Sequence, residues 1–187
     1  MADHGFEIDW SELPTPADDG AASHLAGRAM PALRLPATDG QEVALDALRG
    51  TTVLYVYPMT GTPGVALPEG WNEIPGARGC TPQSCAYRDR FAELRAAGAD
   101  HVYGLSTQSP ADQTAAAERL HLPFALLSDE DLALAQSLDL PLFETEVGLH
   151  HKRLTLILRD GVIAQVFYPV FPPDADAGRV MEWLAGH

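Results

Sequence analysis

Cysteine is scarce in this chain, with two among 187 residues. That is too few for a disulfide-stapled scaffold, so any disulfide is expected to be transient and its setting reducing. Basic residues are also few: 12 Lys and Arg stand against 26 Asp and Glu, a formal net charge of −14. Such a surface repels phosphate backbones and anionic headgroups, so neither nucleic acid nor membrane is expected as a partner. The longest apolar run, Val53 to Tyr57, falls far short of the roughly 20 residues that span a bilayer. No basic residue precedes Arg28, whereas Asp3, Glu7, Asp9, Glu12, Asp18 and Asp19 do, the reverse of a signal peptide's start. A cytoplasmic protein is expected. No glycine-rich nucleotide loop follows a strand, and no organic cofactor or metal is expected.

What is present is an ordinary globular composition, 46% hydrophobic and 20% charged, at a length that suits one domain. Residues 1–28 read as an acidic, irregular arm, and 29–187 as the domain. Apolar residues flanking Asp39-Gly40 predict a leading β-hairpin. Thr51 to Tyr57, β-branched and aromatic and stopped by Pro58, reads as a central strand buried on both faces. The long loop 58–79 is too rich in proline and glycine for regular structure, and long loops in compact domains tend to be functional. Thr81 as cap, Pro82 in the first turn and Gly98 as terminator mark a helix. Further elements follow: a strand over His101–Ser106, a helix opened by Ser109-Pro110, a short strand over Phe124–Leu127 and a helix near 129–138 capped by Ser128. A hairpin around Arg159-Asp160-Gly161 and a closing helix over Asp174–Leu184 complete the order. The sum is an α/β fold, a central mixed sheet flanked by helices with an N-terminal β-hairpin.

Cys80 falls where the first helix begins. Unpaired N–H groups and the positive dipole end there favour a thiolate, so its pKa is expected to be depressed. A thiolate can attack a peroxide oxygen to give sulfenic acid, which invites a second thiol. Cys85 is five residues on. In an intact helix it lies about 7.5 Å further along the axis and about 140° around it, too far for a disulfide unless the first turns unwind. The plain alternative is that Cys80 falls at the helix start by accident and Cys85 is a small buried hydrophobe. The spacing is neither that of a C-x-x-C motif nor of a zinc site.

The string Tyr57-Pro58-Met59-Thr60-Gly61-Thr62-Pro63-Gly64, followed after a gap by Cys80-Thr81-Pro82-Gln83-Ser84-Cys85, resembles the peroxiredoxin active-site motif Pro-x-x-x-Thr-x-x-Cys. The branch it resembles most is that of the bacterioferritin comigratory protein and peroxiredoxin Q. With the insertion 65–79 excised, the string matches in register, second cysteine included. The likeness continues through Tyr87-Arg88-Asp89, Gly104-Leu105-Ser106, Leu126-Leu127-Ser128-Asp129 and Arg153 to Ile157.

The resemblance implies a thioredoxin-like fold and a thiol-dependent peroxidase acting on hydrogen peroxide or organic hydroperoxides. It makes Cys80 the peroxidatic and Cys85 the resolving cysteine. Thr62 would hydrogen-bond thiolate and peroxide, Arg153 would be the thiolate's charge partner, and Pro58 would shield the pocket. Thioredoxin or a similar dithiol would supply electrons to a monomer or homodimer. The family places its cysteine where this chain has Val65, so the insertion must loop out if Thr62 is to face Cys80. Its Trp71, Glu73 and Arg78 could cover the pocket or supply a second cation near Cys80, but surface packing is the favoured expectation. The rival readings are a non-catalytic thiol redox sensor and a degenerate thioredoxin-fold binding module whose thiol has left the pocket. His150 and His151, adjacent on a strand, read as ordinary polar residues pointing to opposite faces.

Overall fold

The computed structural model describes residues 8–187; the first seven residues of the acidic arm lie outside them. Five strands form the central sheet: β3 (Thr51–Val56), β4 (His101–Ser106), β5 (Leu126–Ser128), β8 (Leu154–Arg159) and β9 (Val162–Phe167). Their order is β5-β4-β3-β8-β9, with β4 parallel to β3 and β5, and β8 antiparallel to β3 and β9. The leading hairpin is short, β1 (Leu35–Pro36) against β2 (Glu42–Val43).

Strand β3 shows why the sheet is central. Its side chains alternate between two apolar clusters, and both are buried. Leu54 and Val56 join Leu105, Leu127, Leu156, Leu158 and the short helix α4 (Ala133–Leu138). Val53, Tyr55 and Tyr57 face the other way, onto α1 (Cys80–Asp89), α2 (Phe91–Ala96), α3 (Pro110–Arg119) and α5 (Asp176–Gly186). Tyr55 stacks on Tyr87 of α1 with ring centroids 4.3 Å apart and donates to Ser84 Oγ at 3.0 Å, so this helix is fastened to the strand beneath it.

The arm does not stand away from the body. Leu25 is fully buried, Gly27 N–H donates to Ile163 O, and Met30 N–H to Gly161 O. These bonds place the segment along the edge of β9.

Several boundaries differ from those read off the sequence. Gly79, at φ 110°, is the N-cap of α1 in place of Thr81, and Arg90, with φ −101° and ψ 9°, separates α1 from α2. The fourth helix starts at Ala133 rather than 129, because Asp129 is the residue that reaches into it, its two oxygens accepting from Leu134 and Ala135 N–H. Ser128 instead donates its hydroxyl to Gln108 O. Strand β5 begins two residues later than expected, and a hairpin, β6 (Leu142–Thr145) with β7 (Gly148–His151), has no counterpart in the sequence reading.

Gly104 of β4 marks how tightly α1 is seated. A Cβ there would lie 2.6 Å from both Tyr55 Cζ and Leu126 Cδ2. Gly104→Ala is therefore expected to destabilise the fold by about 1–3 kcal/mol through overpacking, read as a lower urea midpoint at unchanged slope.

Candidate active site

Strands β3 and β8 pair with Val56 opposite Leu154. The register therefore carries Arg153, one residue before β8, to the sheet edge at which the chain leaves β3 through buried Tyr57 and Pro58. Helix α1 begins over the same edge. Sequence-distant groups are thus brought together by register and by the turn at Gly79. That turn needs glycine: φ is 110°, and a Cβ would stand 2.8 Å from Trp10 and Pro173.

Cys80 and Arg153 are both 4% exposed. Arg153 Nη2 donates to Cys80 Sγ at 3.2 Å. Each of the guanidinium's three nitrogens has an acceptor: Nε donates to Gly76 O, Nη2 also to the carbonyls of Gly76, Ala77 and Arg78, and Nη1 to Gln83 Oε1. The Cys80 thiol donates in turn to Ala77 O at 3.6 Å. A buried cation is tolerable only when its donors are satisfied, and here the end of the insertion supplies most of the acceptors.

Gln83 is itself held. Its Nε2 donates to Asp176 Oδ2 at 2.9 Å, an oxygen that also accepts from Tyr87 and Thr155 hydroxyls at 2.7 Å each. Asp176 is fully buried and its Oδ1 has no partner among the described residues. Burial pushes its carboxyl up from the ordinary carboxylate value, while the bonds from Thr155, Tyr87 and Gln83 and the charge of Arg153 pull the other way. Neither Gln83 nor Asp176 stood out in the sequence as functional. A Gln three residues after the cysteine would face the sheet by helical period, but the partner on α5 has no local signal.

A cavity of about 180 Å³ opens over Cys80. Met59 and Gly61, before the insertion, and Arg78 and Gly79, at its end, line it together, so the intervening residues loop out. Leu67 and Trp71 cover it, with Ile8 of the arm. Trp71 is 3% exposed, which corrects the expectation that it packs on the surface; Arg78, also on the wall, donates to Asn72 Oδ1. Thr62 is exposed, in a turn where its carbonyl accepts from Val65 N–H, and is not among the cavity's lining residues. Of the five residues expected at the site, Pro58, Cys80 and Arg153 converge at one edge, Cys85 lies one turn and a half along α1, and Thr62 stands at the rim loop. Cys80 and Cys85 are not joined in a disulfide.

The two histidines are buried, not ordinary surface groups, though they do point apart. His151 Nε2 lies 3.1 Å from Asp129 Oδ2, whereas His150 packs edge-on to Trp71, 5.3 Å between centroids, and pairs with Thr145 Oγ1. His150 thus backs the cavity's tryptophan cover.

A buried thiol at a helix start, held by a buried guanidinium at the edge of a mixed sheet, defines a thiol redox enzyme, and the Redoxin family model matches residues 25–181. Peroxiredoxin Bcp of Escherichia coli is 35% identical over 168 residues, covering 87% of this chain and 96% of that protein. The chloroplastic peroxiredoxin Q of Populus jackii is 32% identical over 162 residues, 84% of this chain and 67% of that protein. The crystal structure of peroxidoxin BcpB from Mycobacterium tuberculosis superposes with a TM-score of 0.69 at 25% identity, covering 87% of this chain and 97% of that one. The chain belongs to the peroxiredoxin family. It has the thioredoxin-like fold of that family and is a thiol-dependent peroxidase. No helix among the described residues is long and apolar enough to cross a membrane.

Burial lowers the His150 pKa from its usual 6.5. The unfolded chain therefore takes up a proton first as pH falls through about 6.5, and folding loses stability below that point. Thermal melts at pH 7.5 and 5.5 are expected to differ more for wild type than for His150→Phe, which keeps the packing on Trp71 without the titration. Equal differences would contradict this.

Proposed function

We propose that Cys80 is the thiol that attacks peroxide and Cys85 the thiol that resolves it. The observation that carries the assignment is the 3.2 Å contact of a fully engaged, buried Arg153 with Cys80 Sγ, beneath a cavity of small-substrate size. In the first step the sulfur anion attacks one peroxide oxygen, the O–O bond breaks, and the other oxygen leaves as water or an alcohol once protonated. Cys80 becomes a sulfenic acid. Arg153 offsets the charge on sulfur before attack, and its donors stay in place as charge moves to the leaving oxygen. Pro58, buried where the chain leaves β3, is assigned the role of shielding the pocket from bulk water.

In the second step the Cys85 sulfur attacks Cys80, the S–O bond breaks with loss of water, and a disulfide forms. Both cysteines lie on the intact α1, about 7.5 Å apart along its axis, so the helix start must unwind for closure. A dithiol such as thioredoxin then reduces the disulfide, in a reducing compartment such as the cytoplasm. Thr62 is assigned the hydroxyl that meets peroxide on the open side, because its neighbour Gly61 lines the cavity. The binding-module reading, with its thiol drawn out of the pocket, is not favoured by the buried position of Cys80.

One equivalent of hydrogen peroxide tests the assignment by free-thiol count and intact mass. Wild type is expected to lose two thiols and about 2 Da, Cys85→Ser to stop as a sulfenic acid about 16 Da heavier, and Cys80→Ser not to react rapidly. Rapid oxidation of Cys80→Ser would reverse the two roles.

A further inference from the structure

We propose that Asp176 is a positioning residue: through the side-chain amide of Gln83 it holds the guanidinium of Arg153 against Cys80. The inference rests on the reading of Cys80 as the reactive thiol and adds a residue from the opposite end of the chain.

The geometry is a single connected line. Asp176 Oδ2 accepts from Gln83 Nε2, Gln83 Oε1 accepts from Arg153 Nη1, and Arg153 Nη2 donates to Cys80 Sγ. A glutamine amide has two ends of nearly the same shape, and only its partners decide which end points where. A carboxylate can only accept, so Asp176 draws Nε2 towards itself and turns Oε1 towards Arg153. A guanidinium can only donate, so this is the one orientation that satisfies both neighbours. With the amide reversed, Nε2 would face N–H groups of Arg153, and the resulting donor–donor contact would push the guanidinium off its seat.

Asp176 is placed to do this. It sits at the first residue of α5, fully buried, with Gln83 and Tyr87 reaching it from α1 and Thr155 from β8. The ionisable groups that act on it are Arg153 and Tyr87, with Tyr55 stacked behind Tyr87. With Cys80 ionised, the site would hold two anions and one cation, an excess of negative charge that burial disfavours. An apolar or amide side chain would be the cheaper residue at this position if packing were all that mattered. The acceptor-only character of a carboxylate supplies a reason for it to be there.

The excess charge gives the test a sign. If Asp176 acts only as a charge, replacing it by the isosteric Asn removes a nearby anion, and the thiol should ionise more readily. If it acts by orienting Gln83, the same change lets the amide reverse and loosens Arg153, and the thiol should ionise less readily. Reduced protein carrying Cys85→Ser is alkylated with iodoacetamide across pH 4–9, and its reaction with hydrogen peroxide is followed by Trp fluorescence. Asp176→Asn is expected to raise the midpoint of the alkylation profile by about one pH unit and to slow the peroxide reaction about tenfold. Gln83→Met, which breaks the line at its centre, should do the same with Asp176 intact, and Asp176→Asn should add nothing to it in the double variant.

Val180→Ala, one turn along α5, is the control for packing damage: it should lower the melting temperature and leave both profiles at wild type. A midpoint unchanged or lowered in Asp176→Asn, additive effects in the double variant, or a Val180→Ala midpoint that rises equally would each overturn the proposal. If Asp176→Asn does not fold, an unchanged midpoint in Gln83→Met overturns it alone. A wild-type Cys80 that alkylates with the expected midpoints but ignores peroxide would sink the peroxidatic assignment and leave the positioning role standing.

Discussion

Burying a guanidinium in a protein interior is costly unless each of its N–H groups finds an acceptor and its charge a partner. Arg153 finds an acceptor for each of its three nitrogens in the carbonyls of Gly76, Ala77 and Arg78, the amide oxygen of Gln83 and the sulfur of Cys80. Much else in the structure can be traced to this one group. The end of the insertion must present three successive carbonyls inward. Gly79 must then turn sharply to start α1, leaving Cys80 in its first turn, where helix N–H groups and the cation act on the same sulfur. The Tyr55–Tyr87 stack and the Tyr55–Ser84 hydrogen bond keep α1 seated while this holds.

The insertion that delays Cys80 relative to the family motif is therefore part of the site. Its last residues are ligands of Arg153, and its Trp71 covers the cavity, backed by His150 from the β6–β7 hairpin. In the proposed chemistry, disulfide closure and helix stability oppose one another. Cys85 can reach Cys80 only if α1 loosens, yet Gln83, Ser84 and Tyr87 tie the same turns to Asp176 and Tyr55. On the proposed roles, oxidation of Cys80 removes the anion that Arg153 offsets, which weakens the separate contact between Arg153 and the first turn at the step that needs it.

The fold was legible where periodicity and punctuation act locally. The β3 strand, the Ser109-Pro110 start of α3 and the turn at Asp160-Gly161 follow from residue types within a few positions. Errors came where distant groups decide. Asp129 caps α4 from four residues away, Gly79 outranks Thr81 as a cap because Trp10 and Pro173 crowd the turn, and both adjacent histidines of the β6–β7 hairpin are buried although they point to opposite faces. At the site, the contact between Cys80 and Arg153 could be anticipated from the motif, because the proposed chemistry pairs a thiol with a cation. Asp176 could not, since its role exists only through contacts between α5, α1 and β8.

The dependence on Arg153 is tested most directly by the rate at which reduced protein consumes a single equivalent of hydrogen peroxide, compared between wild type, Arg153→Lys and Arg153→Met at equal folded fraction. Lysine keeps the charge but lacks the planar fork that spans sulfur, amide and carbonyls together, and methionine lacks both. Both variants should react at least about a hundredfold more slowly, the usual consequence of losing a donor aimed at developing charge. An Arg153→Lys protein that reacts at the wild-type rate would show that charge alone suffices, and an Arg153→Met protein that does so would show that the reactivity of Cys80 has another source.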